Sequence, residues 1–250
     1  MDDQRPIMNA PEPKSTGAPN GALEVYLLGL VDFDAAIALQ ERLMREVAGY
    51  DDGRGALLVC EHPPLITVGR EGSRAELRCS QEELLARQIA VRWLNRGGGS
   101  VVHAPGQLAL YPILPVARRG WGLSALRERL ELALVDLCRE THVRAWRVPE
   151  AAGVFCRTGQ VAHLGVAIRS SISSHGLFVN VSPRMDALSL VRSQFGRATS
   201  LATARGQTVS MPAVRECLIR RLAAHLDYER YHLYTGHPLL VRTKRVVAYA

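Results

Sequence analysis

Arg96, Gly97, Gly98, Gly99, Ser100, Val101, Val102 and His103 follow one another within NRGGGSVVHAPGQLALYP (residues 95–112). Serial glycines free the backbone for angles closed to other residues and let it come close to a ligand. With a guanidinium at one end and an imidazole at the other, the stretch suits a carbonyl or phosphate group gripped by backbone N–H groups. Read in isolation it is equally a glycine-rich hairpin that binds nothing, because glycine runs are common in loops.

The elements that must position this loop can be read from periodicity. Strands are expected at 24–30, 55–61, 65–68, 90–94, 100–102, 108–114, 144–146, 153–157, 160–169 and 173–181. Helices are expected at 34–48, 80–87, 122–141, 185–190 and 211–226, with Ser80 as an N-cap. The turn at 104–107 joins the two strands that flank it. Helices set at intervals among hairpin-connected strands point to an α/β class fold of α+β type, a mixed sheet with packed helices.

Composition bounds the rest. The 250 residues are 47% hydrophobic, enough for one substantial core. No apolar run reaches the roughly 20 residues that cross a bilayer, so no membrane partner is expected. Residues 1–22 are rich in Pro, Gly, Ser and Asn without an apolar centre, and read as a disordered tail. A domain over 23–235 and a C-terminal extension over 236–250 follow. Five cysteines without a C-x-x-C spacing suggest neither disulfides nor a metal, and a reducing cytoplasm is expected. The histidines lack H-x-x-x-H spacing, so no metal and no cofactor is proposed. The net charge is +7, from 31 basic and 24 acidic residues. It suits acidic partners, but scattered arginines such as Arg127, Arg129, Arg220 and Arg221 read equally as a solvated surface. No nucleic-acid-binding signature accompanies them, so nucleic acid is not the expected partner.

Four blocks carry more than any one of them alone: LGLVDFDAAIALQERL (28–43), LLVCEHPPLITVGREGS (57–73), RGGGSVVHAPGQLALYPI (96–113) and GVFCRTGQVAHLGVAIRSSISSHGLFVNV (153–181). In this order and at this spacing they resemble the octanoyltransferase family, also called lipoate-protein ligase B, over about residues 23–225. The resemblance implies the biotin/lipoate protein ligase catalytic-domain fold. It implies transfer of an octanoyl group from acyl carrier protein to a lysine of a lipoyl domain, in the E2 of 2-oxoacid dehydrogenases or the glycine cleavage H protein. It also implies acyl contacts from residues 96–103, from His163, Leu164 and Gly165, and from Gly176, Leu177 and Phe178.

In that family a cysteine holds the acyl group as a thioester and a lysine lowers the thiol pKa, since the thiolate is the nucleophile. Here Gln160 stands in the family's G-x-K-[IV]-A-x-[LI]-G pattern where lysine is expected. The family's P-C-G segment corresponds to Ser193-Gln194-Phe195-Gly196. Anchoring on the glycine puts Phe195 at the cysteine position, and counting without a gap puts Gln194 there. Both members of the pair are thus replaced. Among the thiols, Cys60, Cys138 and Cys217 read as small core hydrophobes, and Cys79 has no link to the glycine loop. Cys156 is the candidate substitute nucleophile. His103, His163 and His175 are candidate bases for direct attack by an acceptor lysine, whereas His62 is read as fixing the turn before Pro63 and Pro64. Two classes follow: an acyltransferase that bypasses the covalent intermediate, or a protein that binds an acyl chain, lipoyl domain or carrier without turnover. An ATP-dependent lipoate ligase is disfavoured because it too relies on a lysine near position 160.

Overall fold

The computed structural model describes residues 21–192 and 195–240. Residues 1–20 of the expected tail, Gln194 and residues 241–250 of the expected extension lie outside them. The elements are β1 (Leu23–Leu30), α1 (Phe33–Gly49), β2 (Gly55–Glu61), β3 (Leu65–Val68), α2 (Gln81–Ala86), β4 (Ala90–Trp93), β5 (Ser100–His103), β6 (Gln107–Ile113), α3 (Leu123–Glu140), β7 (Ala145–Val148), β8 (Ala151–Cys156), β9 (Gly159–Arg169), β10 (Ile172–Asn180), α4 (Met185–Leu188), α5 (Leu201–Arg205), α6 (Met211–His225) and β11 (Tyr231–Thr235). Periodicity does not reveal α5, a single capped turn, or β11, an edge strand with both faces exposed.

An eight-stranded sheet runs β11-β1-β2-β6-β10-β9-β8-β7, and a three-stranded sheet runs β4-β3-β5. Only the β11-β1 and β1-β2 pairs are parallel in the large sheet, which makes it mixed. Side chains alternate faces along a strand, so β2 sends Leu57 and Val59 to one side and Ala56, Leu58 and Cys60 to the other. The first side packs on α3 and α6, and the second on Leu39, Leu43, Met44 and Val47 of α1. Each fully buried aliphatic side chain contributes about 1.5–3 kcal/mol of apolar transfer. α1, α2 and α6 start on side-chain caps at Asp32, Ser80 and Ser210, the second a full capping box with Glu83.

One expected connection differs. β5 and β6 do not form a hairpin with each other. β5 pairs with β3 in the small sheet, and β6 lies between β2 and β10 in the large one. The turn between them is therefore a crossing from one sheet to the other, and the space beside it is a seam. A third apolar cluster, of Ile66, Val68, Leu84, Val102, Leu188 and Leu190, closes the small sheet under α2 and α4.

Candidate functional site

The glycine loop enters this seam, but the amides of Gly97, Gly98 and Ser100 are engaged. Gly98 N–H donates to Glu71 Oε1 at 3.1 Å and Ser100 N–H to Glu76 Oε2 at 2.9 Å. Gly97 N–H donates to the Val166 carbonyl at 3.2 Å, while the Gly98 and Gly99 carbonyls accept from Glu71 and Gly69. The loop is thus stapled to residues 69–76 and does not present an open row of donors. Gly98 has φ +77°, and a Cβ there would stand 3.0 Å from His163 Nε2, so only glycine fits without strain.

Arg96 is fully buried and does not reach the seam. Its NH1 donates to the Gly97 carbonyl at 2.9 Å, and its NH2 to the Thr67 carbonyl and Oγ1 at 3.1 and 2.7 Å. Burial lowers its pKa to about 10, still leaving a cation at neutral pH. Glu71 and Glu76, just across the loop, balance that charge. The expectation that Arg96 grips a ligand is replaced by a brace beneath the loop.

A cavity of about 50 Å³ lies in the seam, lined by Ser100, Val101, Val102, Gln107, Gln160, His163, Asn180, Leu188, Val191 and Ala198. Gln160 and His163, three apart on β9, could not share a face of a regular strand. A bulge opposite Val154–Phe155 places both toward the cavity while Val161 and Ala162 both enter the α3/α6 core. Gly153 makes the bulge possible. Its φ is +131°, and a Cβ would meet the Ala162 carbonyl at 2.2 Å.

Gln160 donates its Nε2 to the Ala152 carbonyl at 3.1 Å. Ser100 Oγ and His163 Nε2 are shielded from solvent and have no hydrogen-bond partner. Burial lowers the His163 pKa to about 3, so the ring is neutral at physiological pH. Two unsatisfied polar atoms on residues that line one small, partly polar cavity suit a polar ligand group.

The other expected residues divide. Leu164 and Leu177 point into the α3/α6 core, away from the cavity. Gly165 lets β9 approach the loop, its absent Cβ lying 2.8 Å from the Gly97 carbonyl, and Gly176 does the same between β10 and β6. Phe178 stacks on His163 with ring centroids 6.5 Å apart and meets His103 edge-on at 4.5 Å. His103 is fully buried, both ring nitrogens engaged by Thr67 and Gln107. His175 sits at φ +55° outside the lining, and burial lowers its pKa to about 4. Of the three candidate bases, His163 alone lines the cavity.

His62 is not a turn residue. It bonds the Val31 carbonyl at 2.8 Å and Tyr111 OH at 2.7 Å, and its ring packs against Phe33 and His103. Sequence reasoning missed Gln107 and Asn180, although both are polar residues adjoining apolar runs, the one opening β6 and the other closing β10. Glu71, Glu76 and Ala198 carried no local signal.

Cys156 and Phe195 line a different and wider concavity of about 620 Å³, with Trp146, Val148, Phe155, Arg157, Thr158, Gly159 and Arg197. The Cys156 Sγ lies 3.3 Å from Thr158 Oγ1, which meets Thr199 Oγ1 at 3.1 Å. None of the five thiols lines the small cavity. Among the described residues no cluster of His, Cys, Asp or Glu is set to hold a metal, and no helix is long and apolar enough to cross a membrane. Arg127, Arg129, Arg220 and Arg221 all sit in ion pairs, with Glu131, Asp227 and Glu140. Each is paired with a carboxylate, so the four do not form a free basic patch.

Residues 32–223 match the lipoyl protein ligase A/B catalytic domain. The octanoyltransferase of Geotalea uraniireducens is 36% identical over 210 residues, covering 82% of this chain and 94% of that protein. The octanoyltransferase of Roseiflexus sp. is 34% identical over 213 residues, covering 83% and 88%. In fold the chain is similar to the bi-partite lipoate protein ligase of Thermoplasma acidophilum, described with its E2 lipoyl domain. The TM-score is 0.69 at 17% identity, over 88% of this chain and 89% of that one. The chain belongs to the octanoyltransferase family and has the lipoate protein ligase catalytic-domain fold.

Proposed function

From that membership we propose that residues 23–235 handle an octanoyl group in protein lipoylation, passing it from acyl carrier protein to a lysine of a lipoyl domain without an enzyme-bound thioester. The acceptors are the E2 of 2-oxoacid dehydrogenases and the glycine cleavage H protein. The observation that carries this reading is the cavity itself. It holds Gln160 where the family pattern has lysine, and no thiol. Phe195, or Gln194 without a gap, stands at the position of the family's cysteine, and neither is a nucleophile.

In direct transfer the acceptor amine attacks the thioester carbon and the carbonyl electron pair moves to oxygen. Its return breaks the C–S bond, and the amine's proton leaves with the carrier thiolate as thiol. Octanoyl amide and free carrier thiol result, so the equation balances without an oxidant or cofactor. Holding both reactants in place can supply several kcal/mol, on the order of 7–11 in the best-oriented cases. The 50 Å³ cavity has room for the carbonyl end alone, on the order of two waters. An eight-carbon tail does not fit within that volume.

A second reading keeps the pocket without the chemistry. It is favoured by His163, whose pKa of about 3 makes it a weak proton acceptor. Intact mass spectrometry decides between them. Octanoyl-carrier protein is mixed with an apo lipoyl domain and this protein. Direct transfer gives an octanoylated domain and no mass gain on the protein. Binding alone leaves the domain unmodified. A hydroxylamine-sensitive octanoyl adduct that disappears in Cys156→Ala refutes both and makes Cys156 the nucleophile.

A further inference from the structure

A line of buried hydrogen bonds leads from Arg96 to the cavity, and its direction is fixed by chemistry. The Gln107 amide settles it. One end of that amide lies 2.9 Å from the Val102 carbonyl and 2.9 Å from Asn180 Oδ1, and the other 3.0 Å from His103 Nδ1. A backbone carbonyl can only accept, so the end facing Val102 must be the NH₂ and the end facing His103 the oxygen. His103 Nδ1 must then carry a hydrogen. The ring is fully buried and neutral, its pKa held well below the ordinary value by burial. Its Nε2 therefore has a lone pair and accepts from Thr67 Oγ1 at 2.9 Å. Thr67 Oγ1 in turn accepts from the Arg96 guanidinium at 2.7 Å.

Every bond thus points one way: Arg96 to Thr67, Thr67 to His103, His103 to Gln107, Gln107 to Asn180. Hydrogen bonds in series polarise one another, and here a buried cation stands at the head. Asn180, 6% exposed and lining the cavity, accepts with its oxygen, which leaves its Nδ2 for whatever fills the space. The glycine-loop amides at Gly97, Gly98 and Ser100 are already taken.

We propose that Asn180 Nδ2 is the donor to the acyl carbonyl oxygen in this cavity, oriented by the Arg96–Thr67–His103–Gln107 relay. This rests on the reading that the cavity takes the carbonyl end of an acyl group. A donor aimed at that oxygen gains strength as negative charge develops on it during attack. His103 is then a positioning residue, three hydrogen bonds removed from the ligand, and not a base.

Two probes separate this donor from the pocket as a whole. S-octanoyl-N-acetylcysteamine carries the thioester carbonyl, and S-octyl-N-acetylcysteamine lacks it. By calorimetry the wild type binds the thioester more tightly, and Asn180→Ala loses about tenfold in thioester affinity, the scale of one hydrogen bond, and less than twofold for the thioether. Asn180→Asp keeps the acceptor that Gln107 needs and removes the donor, so it gives the same split where Asn180→Ala fails to fold. Infrared spectra of the ¹³C-labelled thioester carbonyl should shift to lower frequency on binding wild type, but not Asn180→Asp. Nitrogen-15 resonances of His103 should show a protonated Nδ1 and a bare Nε2. Equal losses for both probes, no infrared shift in wild type, or the Nε2–H tautomer each overturn the donor. A wild type that binds neither probe overturns the acyl-pocket reading, and the donor with it.

Discussion

Two concavities lie on either side of one strip of backbone, and they are built oppositely. Gln160 N–H bonds the Arg197 carbonyl and Thr199 N–H bonds the Gln160 carbonyl, tying the two segments together. Gly159 and Arg197 face the wide groove, while Gln160 and Ala198 face the small cavity. The groove is some twelve times larger and is walled by Trp146 and Phe195, 46% and 37% exposed. The cavity backs onto buried Arg96, Thr67, His103 and Gln107. Size therefore does not mark the chemistry. The smaller space has unsatisfied polar atoms and a directed chain of donors behind it.

The largest expected difference between the two is in stability. Arg96→Met removes the donor from two carbonyls and one hydroxyl in the interior, and should cost about 3–5 kcal/mol. Trp146→Ala in the groove should cost about 1 kcal/mol or less. Urea unfolding measures both, and similar losses would erase the contrast.

Acid should act through the same buried side. Burial lowers His62 to about 4 and His163 to about 3, and holds His103 well below the ordinary value. Each folded-state pKa lies below the unfolded one, near 6.5. Between those values the unfolded chain takes up a proton that the folded chain refuses. Stability is therefore full above about pH 7 and declines as pH falls toward 4. By pH 5 the loss is roughly 2 kcal/mol for each fully buried ring. A melting temperature flat between pH 7 and 5 would mean that these rings are charged in the fold.

Gly98→Val comes next. The left-handed backbone costs a branched residue about 1–2 kcal/mol, and its Cβ presses on His163. The folded variant should bind octanoyl probes at least tenfold more weakly by calorimetry, whereas Cys156→Ala in the groove should bind them like wild type.

The smallest expected effect tests the partition itself. In Gln160→Lys/Ala198→Cys the ammonium and thiol share the cavity, and the thiol pKa should fall by about one unit or more. In Gln160→Lys/Phe195→Cys the thiol opens to the groove and should shift less. The pH dependence of alkylation reads both. If the Phe195→Cys pair shows the larger drop, the thiol site of the family lies across the strip.

Most of the framework was legible because burial on two faces writes itself as apolar runs, as in Leu57–Cys60 and Leu108–Tyr111. The four blocks disclosed the family and fold. What escaped is what depends on pairing. Glycines 97–99 read as an open cradle because the carboxylates that fill it, Glu71 and Glu76, lie over twenty residues upstream. Gln160 and His163 share a face only through a bulge set by Gly153. Leu164 and Leu177 were grouped with their neighbours, although alternation sends them to the opposite core. That Phe195 and Gln160's side chain face different concavities follows from a strip of backbone with no pattern of its own.

The pairing of β1 with β11 carries a consequence for how the chain is made. Glu24 bonds His232, 208 positions later, and Leu23 through Leu27 lie in register with Tyr231 through Thr235. Parallel partners so far apart cannot meet until nearly all the described chain has left the ribosome. Until then β1 is the open margin of the nascent sheet, offering unpaired amides to any other strand nearby. Closure by β11 is a late event in biogenesis. A nascent chain stalled short of residue 231 would hold most of its core yet remain prone to associate with its neighbours on the polysome.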